Sequence, residues 1–166
     1  MKIFNEQFFC QLTTDSKMSP RCRQHRNVHS SFDDPCQRLF NAIQPNSYIR
    51  PHRHFVDSRD EMLIALQGSM ALLTFDDEGE VVGIMGLGTG IHEISEVCVA
   101  VEIPSSVWHT VIALEQDSVL LEIKAGPFDP QQAKEFAIWS PEEGTPEAGH
   151  YLSKLVRIAK GLTTAR

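Results

Sequence analysis

The sequence lacks several features that would assign it to a functional class at once. It has no run approaching the roughly 20 apolar residues that a membrane-spanning helix needs. Basic residues are also in deficit, since 15 lysines and arginines face 22 acidic residues and give a formal net charge of -7. Neutralising the phosphates of a nucleic acid or an anionic membrane surface requires a basic face. We therefore expect neither a nucleic acid nor a membrane as the main partner.

The cysteines provide neither a disulfide framework nor a zinc ribbon. Cys10, Cys22, Cys36 and Cys98 lie far apart, without a CxxC pair. Reduced thiols favour a cytoplasmic protein. The apolar N-terminal stretch contains Glu6 and lacks an uninterrupted apolar core, so we interpret it as a first helix rather than a signal peptide.

Length and composition predict one globular domain. The chain has 166 residues, of which 42% are hydrophobic and 22% charged, enough for a substantial core without wholesale disorder. We place an N-terminal helix and arm at 1–36, the core at about 37–124, and a C-terminal arm and helix at 125–166.

Turn residues divide the core into short apolar runs, which predicts an antiparallel sandwich or barrel. No strand–helix alternation is present, so a parallel sheet is not expected. The predicted breaks lie at 44–47, 76–79 and 115–118 and at Gly86, Gly88 and Gly90.

Both ends of the chain have different patterns from the core. Helical spacing predicts an N-terminal helix from Ile3 to Leu12, followed by an extended arm or loops over 15–35. After Lys124 we expect a helical turn or arm over 131–139 and a loop over 141–149. A last helix from Leu152 to Ala159 would end at Gly161.

One segment carries a pattern typical of metal binding. His52 and His54 alternate along a strand and so share a face, Glu61 follows on the next strand, and His109 offers a third imidazole. Imidazole nitrogens and a carboxylate oxygen are common ligands of divalent transition metals. Tyr48 and Arg50 would share the histidine face only if the strand continued unbroken through Pro51.

This segment resembles the two motifs of the cupin superfamily. The chain reproduces the His52-x-His54 pair, the Glu61-x6-Gly68 interval and the Pro104-x4-His109 interval. Six residues separate His54 from Glu61 where three or four are usual, which leaves Asp57 or Asp60 as substitute ligands. Other departures are Asn46, Cys98 and Ser106 in place of motif glycines and Ala113 in place of the motif asparagine.

A narrower resemblance covers roughly residues 18–145. The stretches 26–39, 47–54, 121–130 and 135–144 are similar to those of the WbuC-type cupin-fold metalloproteins. That resemblance implies an all-β cupin double-stranded β-helix, a jelly-roll barrel with short terminal helices, in a small bacterial protein associated with surface-polysaccharide gene sets. It also implies one divalent transition metal ion (Zn, Fe, Mn, Ni or Co), bound by His52, His54, Glu61 and His109.

Further residues are candidates for binding or chemistry near such a metal. Arg50, Tyr48, Lys124 and Arg26 are candidate substrate-binding residues, with Arg50 able to grip a carboxylate or phosphate. A surface ion pair explains Arg50 equally well. His29 and Glu122 are candidate acid–base residues, and an exposed ion pair is the alternative for Glu122 and Lys124. His92 and His150 lack such neighbours and are expected at the surface or in packing.

Three functional hypotheses remain open at this point. The first is an enzyme acting on a phosphorylated or nucleotide-linked sugar, in the manner of an isomerase or epimerase, with an iron-dependent dioxygenase as a variant. The second is a non-catalytic metal- or sugar-binding module, and the third is a scaffold. Cupin resemblance also implies a homodimer, whose N-terminal arm would serve its own site or its neighbour's.

Overall fold

The computed structural model describes residues 1–89, 91 and 93–162. In these ranges the chain forms two helices and eleven strands. Not one of the described helices is long and apolar enough to cross a membrane. In chain order the elements are α1 (Glu6–Met18), β1 (Arg23–Asn27), β2 (Cys36–Ile43), β3 (His52–Arg53), β4 (Glu61–Gln67), β5 (Ser69–Phe75), β6 (Val81–Gly88), β7 (Val97–Cys98), β8 (Ala100–Ile103), β9 (Trp108–Ala113), β10 (Ser118–Ala125), β11 (Glu135–Phe136) and α2 (Pro146–Ala159).

The strands form two sheets, which confirms the predicted mostly-β class. One sheet, here called sheet A, has the order β1-β2-β10-β4-β8, and sheet B has the order β11-β3-β9-β5-β6-β7. All strand pairs are antiparallel except the short parallel pair β6–β7. Over the described ranges the pairings make two separate sheets, which agrees with the sandwich alternative of the predicted sandwich or barrel, and these sheets do not join into a closed barrel.

Each face of the two sheets is covered by a different partner. The inner faces bury one apolar cluster that includes Leu63 and Leu87. The outer face of sheet A packs on α1 through Leu12 and Phe40. The outer face of sheet B packs on α2, and Leu155 belongs to that cluster. The alternation of side chains along each strand therefore separates a central core from two outer ones.

The N-terminal region is more ordered than the predicted helix and arm. Asn5 caps α1 by accepting a hydrogen bond from the amide of Phe8, and the helix continues to Met18. The segment Arg23–Asn27, predicted as part of an arm or loops, is an edge strand paired with β2. The arm therefore supplies one wall of sheet A.

The predicted break at the glycine-rich segment begins later than expected. Gly86 and Gly88 lie inside β6, which pairs with β5 up to Gly88. Gly88 has a φ of +132°, and a Cβ there would lie 2.4 Å from the carbonyl oxygen of Gly68. This close approach accounts for the glycine at the last residue of β6. Gly90 and His92 lie outside the described residues.

The C-terminal region contains a longer helix than predicted. Thr145 caps α2 by accepting a hydrogen bond from the amide of Ala148, and Pro146 occupies the first turn. Part of the predicted loop over 141–149 is thus helical. Gly161, with a φ of +66°, follows the helix end as expected. Between β10 and α2, the segment predicted as a helical turn or an arm contains the two-residue strand β11, paired with β3.

Candidate metal centre and adjoining cavities

Four buried side chains from facing sheets meet at one end of the space between them. His52 and His109 lie directly opposite each other on β3 and β9 of sheet B, and His54 follows β3. Glu61 begins β4 in sheet A. One ligand atom from each of the four lies within 4.8 Å of the others. The structure thus brings together the four residues that the sequence marked as metal ligands.

Backbone carbonyls orient all three imidazoles. The Nδ1 atoms of His52, His109 and His54 lie 2.9, 2.9 and 2.5 Å from carbonyl oxygens, and each donates a hydrogen bond there. Those carbonyls belong to Arg50, Val107 and Ala133, respectively. A proton held on Nδ1 leaves the Nε2 lone pair free, and such hydrogen bonds are typical around metal-ligating histidines.

The electrostatics keep the carboxylate ionised and His52 neutral. Burial disfavours the Glu61 carboxylate, but the close imidazoles of His109 and His54 outweigh it and hold the pKa of Glu61 well below its usual range. Burial, reinforced by the charge of Lys134, lowers the pKa of His52 well below its ordinary value. The cluster therefore presents an anionic oxygen and a basic nitrogen, the forms that metal binding requires.

An unpaired buried nitrogen tests whether a metal fits this cluster. Within the described part of the chain, Nε2 of His54 has no hydrogen-bond partner, although it lies 3.1 Å from Oε2 of Glu61. The Nε2 atom of His109 lies 2.8 Å from Oε1 of the same carboxylate. Converging nitrogen lone pairs beside a buried carboxylate match the donor set of a divalent transition metal. The residues present fit the ion that the sequence implies.

The neighbouring acidic residues are engaged elsewhere. Asp57 pairs with Lys124 at 2.5 Å, and Asp60 accepts a hydrogen bond from the amide of Ser105. Glu61 is thus the carboxylate in the cluster, and the longer interval after His54 is accommodated in the loop before β4.

Two cavities adjoin the cluster. The first, the His52-side cavity, has a volume of about 180 Å³, and the second, the His54-side cavity, has about 140 Å³. Both are lined by His25, Glu61, Glu122 and Lys134. Arg23, Asn41 and His109 line only the first. His29, Phe32, Gln37, His54, Lys124 and Phe128 line only the second.

Of the two alternatives left open for Glu122 and Lys124 on β10, the structure favours a position facing the cavities over an exposed ion pair. Glu122 accepts a hydrogen bond from Nδ2 of Asn41 at 3.1 Å, and burial together with the charge of Glu61 raises the pKa of Glu122. Lys124 lines the His54-side cavity next to Asp57. A carboxyl group with a raised pKa next to a cluster of this kind is suited to hold and transfer a proton.

Tyr48 and Arg50 are not brought into either cavity. The strand is interrupted at Pro51, because β3 contains only His52 and Arg53. Tyr48 packs in the core beneath α2 and donates a hydrogen bond to the carbonyl of Pro141. Arg50 donates to the carbonyl of Ala137 and to Ser140. The unbroken-strand condition for a shared face is therefore not met.

The two remaining candidates from the N-terminal region, Arg26 and His29, lie in different parts of the structure. Arg26 pairs with Asp15 of α1 at 2.8 Å, on the outer side of sheet A and away from the cavities. His29 lines the His54-side cavity, and its Nδ1 lies 3.0 Å from both the amide nitrogen and the carbonyl oxygen of Arg38.

Sequence reasoning missed several cationic and polar residues at the site. Buried Arg23 donates to Glu143, to Ser47 and to the carbonyl of Tyr48. Lys134 is exposed and lies close enough for its charge to help lower the pKa of His52. Arg23 lies three residues before the candidate Arg26 in a segment rich in basic residues, whereas Lys134 follows the last predicted strand and had no such signal.

Fold and cluster together define a two-sheet β protein with a candidate centre of three imidazoles and one carboxylate. A family model described as "Domain of unknown function (DUF6016)" matches residues 4–87. The chain belongs to this family. No curated protein matches this chain.

The chain is also similar to several solved structures. Protein SO0799 from Shewanella oneidensis is 11% identical, with a TM-score of 0.53 over 86% of this chain and 87% of that one. An RmlC-like cupin protein from Desulfovibrio desulfuricans is 16% identical, with a TM-score of 0.44 over 62% and 81%. An oxalate decarboxylase from Bacillus subtilis is 18% identical, with a TM-score of 0.49 over 68% of this chain and 27% of that one. These identities concern the fold alone, and the narrower WbuC-type resemblance stays a prediction.

Proposed function

We propose that the protein is a metal-binding cupin that acts on a small oxygenated, anionic ligand. The observation that carries this proposal is the orientation of three imidazoles by backbone carbonyls beside the buried Glu61 carboxylate. His52, His54, Glu61 and His109 would hold the ion, which supplies Lewis-acid chemistry when bound. The WbuC-type resemblance supports a sugar of surface-polysaccharide metabolism as the ligand.

Charge and volume support the ligand class. Lys134 and Arg21 line the His52-side cavity, and both have exposed side chains, so they are placed to meet an anionic group at its mouth. A cavity of about 180 Å³ is smaller than the roughly 300–1,000 Å³ of drug-sized sites. We infer that the reacting part of a sugar enters, while a phosphate or nucleotide group stays outside.

Glu122 is the residue that we assign to proton transfer. Burial and the charge of Glu61 raise its pKa and so favour the protonated carboxyl group, and Glu122 lines both cavities. Isomerisation or epimerisation of a sugar requires one group that removes and returns a proton. His29 lies in the other cavity, where it serves binding rather than this step.

Elemental analysis of tag-free protein tests the metal proposal. We expect close to one equivalent of a divalent transition metal in the wild type and in His150→Ala, which removes an exposed histidine. We expect loss of the metal in His52→Ala/His109→Ala. A wild type that neither contains nor takes up metal on reconstitution would overturn the proposal.

A second experiment separates an enzyme from a binding module. D-Glucose 6-phosphate and D-mannose 6-phosphate are incubated with metal-loaded protein, and interconversion is followed by NMR. We expect turnover in the wild type and at least 100-fold less in Glu122→Gln, which keeps its metal. Binding of both phosphates without interconversion would instead favour the non-catalytic module. If iron is found, oxygen consumption becomes the assay for the dioxygenase alternative.

Cellular location and assembly are part of the same proposal. We propose a cytoplasmic homodimer that recognises a small molecule rather than a nucleic acid or a membrane. Sedimentation velocity of the purified chain, at concentrations above and below the micromolar range, tests the dimer.

A further inference from the structure

The His54-side cavity contains buried polar atoms that lack partners. Within the described ranges, Oε1 of Gln37 and Nε2 of His29 have no hydrogen-bond partner, and both residues line this cavity. Gln37 is only 6% exposed. An unpaired buried polar atom costs about 1–3 kcal/mol, so native proteins rarely keep one without a use.

The two unpaired atoms differ in their hydrogen-bonding roles. Nε2 of Gln37 donates to the carbonyls of Ser31, Phe32 and Asp34, which fixes the amide and leaves Oε1 as an acceptor. Nδ1 of His29 lies 3.0 Å from both the amide nitrogen and the carbonyl oxygen of Arg38, so Nε2 donates in one tautomer and accepts in the other. The cavity wall thus offers one fixed acceptor and one imidazole nitrogen that can take either role.

Aromatic side chains form another part of the same wall. The rings of Phe32 and Phe128 lie 5.1 Å apart, and both residues line the cavity. Phe32 is 47% exposed, so it lies at the edge where a ligand would enter. A ligand in this cavity can place its C–H groups against the aromatic rings and its hydroxyl groups against the hydrogen-bonding atoms of Gln37 and His29.

We propose that the His54-side cavity is a second binding compartment for an uncharged, polyhydroxylated group. A hydroxyl both donates and accepts, so it pairs with Gln37 and His29 together, which neither a hydrocarbon nor an anion does. The fixed acceptor Oε1 of Gln37 opposes an anion, and the charge of Lys124, which also lines the cavity, is neutralised by Asp57. The volume of about 140 Å³ is equivalent to roughly five liquid-water volumes, which limits the group to a few carbons.

The proposed compartment rests on the proposed function, because the two cavities would form one ligand site. Both cavities are lined by His25, Glu61, Glu122 and Lys134. The anionic part of a ligand would lie at the mouth of the His52-side cavity, and a hydroxylated part would occupy the His54-side cavity.

The test compares two six-membered rings that differ in hydroxyl groups. D-Xylose and tetrahydropyran are titrated into metal-loaded protein, with ligand-observed NMR and amide chemical shifts as readouts. We expect millimolar binding of xylose and at least tenfold weaker binding of tetrahydropyran. His29→Asn keeps a polar group beside the Arg38 backbone but removes the Nε2 atom, and we expect it to weaken xylose binding about fivefold, as for one lost hydrogen bond.

Phe32→Leu provides a second variant that does not depend on the polar network. We expect it to weaken xylose binding severalfold, while Phe4→Leu, the same change at a partly exposed phenylalanine packed on Phe40, leaves xylose binding at the wild-type value. Absence of xylose binding at 100 mM, equal binding of tetrahydropyran, or xylose binding unchanged in both variants would overturn the compartment.

The metal content of each sample separates this inference from the proposed function. Wild type that neither contains nor takes up metal but still binds xylose, with weaker binding in His29→Asn, supports the compartment and contradicts the metal proposal. Metal-loaded protein that fails to bind xylose contradicts the compartment and leaves the metal proposal standing.

Discussion

The two ends of the space between the sheets are built on the same strands but have opposite character. At one end Met70, Leu72 and Leu87 are almost wholly buried among apolar neighbours. At the other end the buried side chains are His109, Glu61 and their partners. A single strand can supply side chains to both ends, as β9 does with His109 near its start and Val111 further along on the same face.

This difference separates the source of stability from the source of chemistry. Removing apolar surface from water stabilises by roughly 25 cal/mol per Å² and needs no matched partner. A buried imidazole or carboxylate instead costs free energy unless hydrogen bonds or an ion compensate it. The apolar end therefore stabilises sheets that hold polar groups at the other end.

The largest change in the free energy of unfolding should come from a substitution at the apolar end. Leu87→Ala removes a fully buried side chain and leaves a cavity, so we expect a loss of about 3 kcal/mol in the free energy of unfolding. Metal stoichiometry should remain unchanged. Urea denaturation and elemental analysis measure the two quantities, and loss of metal from the folded variant would break the separation of the two ends.

A slightly smaller effect should appear at the polar end on metal addition. Free metal at 100 times its dissociation constant should stabilise the wild type by about 2.7 kcal/mol. His52→Ala/His109→Ala should show no such gain, whereas Leu87→Ala should gain as much as the wild type. Thermal denaturation with and without metal checks this, and equal stabilisation of the double variant would count against the site.

At the rim of the polar end, stability should depend on pH. Ion pairs with Arg21 and Arg23 overcome the effect of burial and lower the pKa of Glu143. Its contribution should be complete above the unfolded pKa of about 4.5 and disappear as the pH falls through the lower folded value. At neutral pH we expect Glu143→Gln to cost about 1 kcal/mol.

Urea titrations of metal-free protein between pH 7 and pH 3 test this dependence. The difference between wild type and Glu143→Gln should shrink in acid, while the difference caused by Leu87→Ala should stay constant. A Glu143→Gln difference that is independent of pH would show that the pair contributes through packing alone.

The smallest effect should lie outside both ends. Arg26 pairs with Asp15 on the exposed surface of α1, and such pairs contribute about 0–1 kcal/mol. We expect Arg26→Ala to change the free energy of unfolding by less than about 1 kcal/mol and to leave ligand affinity unaltered. If Arg26→Ala lost sugar-phosphate binding in isothermal titration, Arg26 would be a substrate-binding residue after all.

The metal cluster was predictable because strand alternation and fixed intervals suffice to place it. His52 and His54 are two positions apart, and the short strand β3 followed directly by His54 is enough to bring both to one cluster. Alternation along β10 also puts Glu122 and Lys124 on one face, although it did not decide which environment that face meets. The failure at Tyr48 and Arg50 has the same origin, because alternation does not continue across the interruption at Pro51.

Other features depend on long-range contacts that spacing does not encode. Lys134 comes to the cavities because its segment folds back after β10, and its neighbour Ala133 contacts His54. β1 has few apolar residues, so its pairing with β2 left no alternating pattern. The earlier start of α2, by contrast, has a local signal in the cap Thr145 and in Pro146, which apolar periodicity alone does not include.

One hydrogen bond ties the cavity entrance to the cluster. The carbonyl that orients His54 belongs to Ala133, next to Lys134 in the chain. A displacement of this segment on ligand entry would also turn the His54 ring. Occupancy of the cavities and retention of an ion are then thermodynamically linked, and each should change the dissociation constant of the other by the same factor.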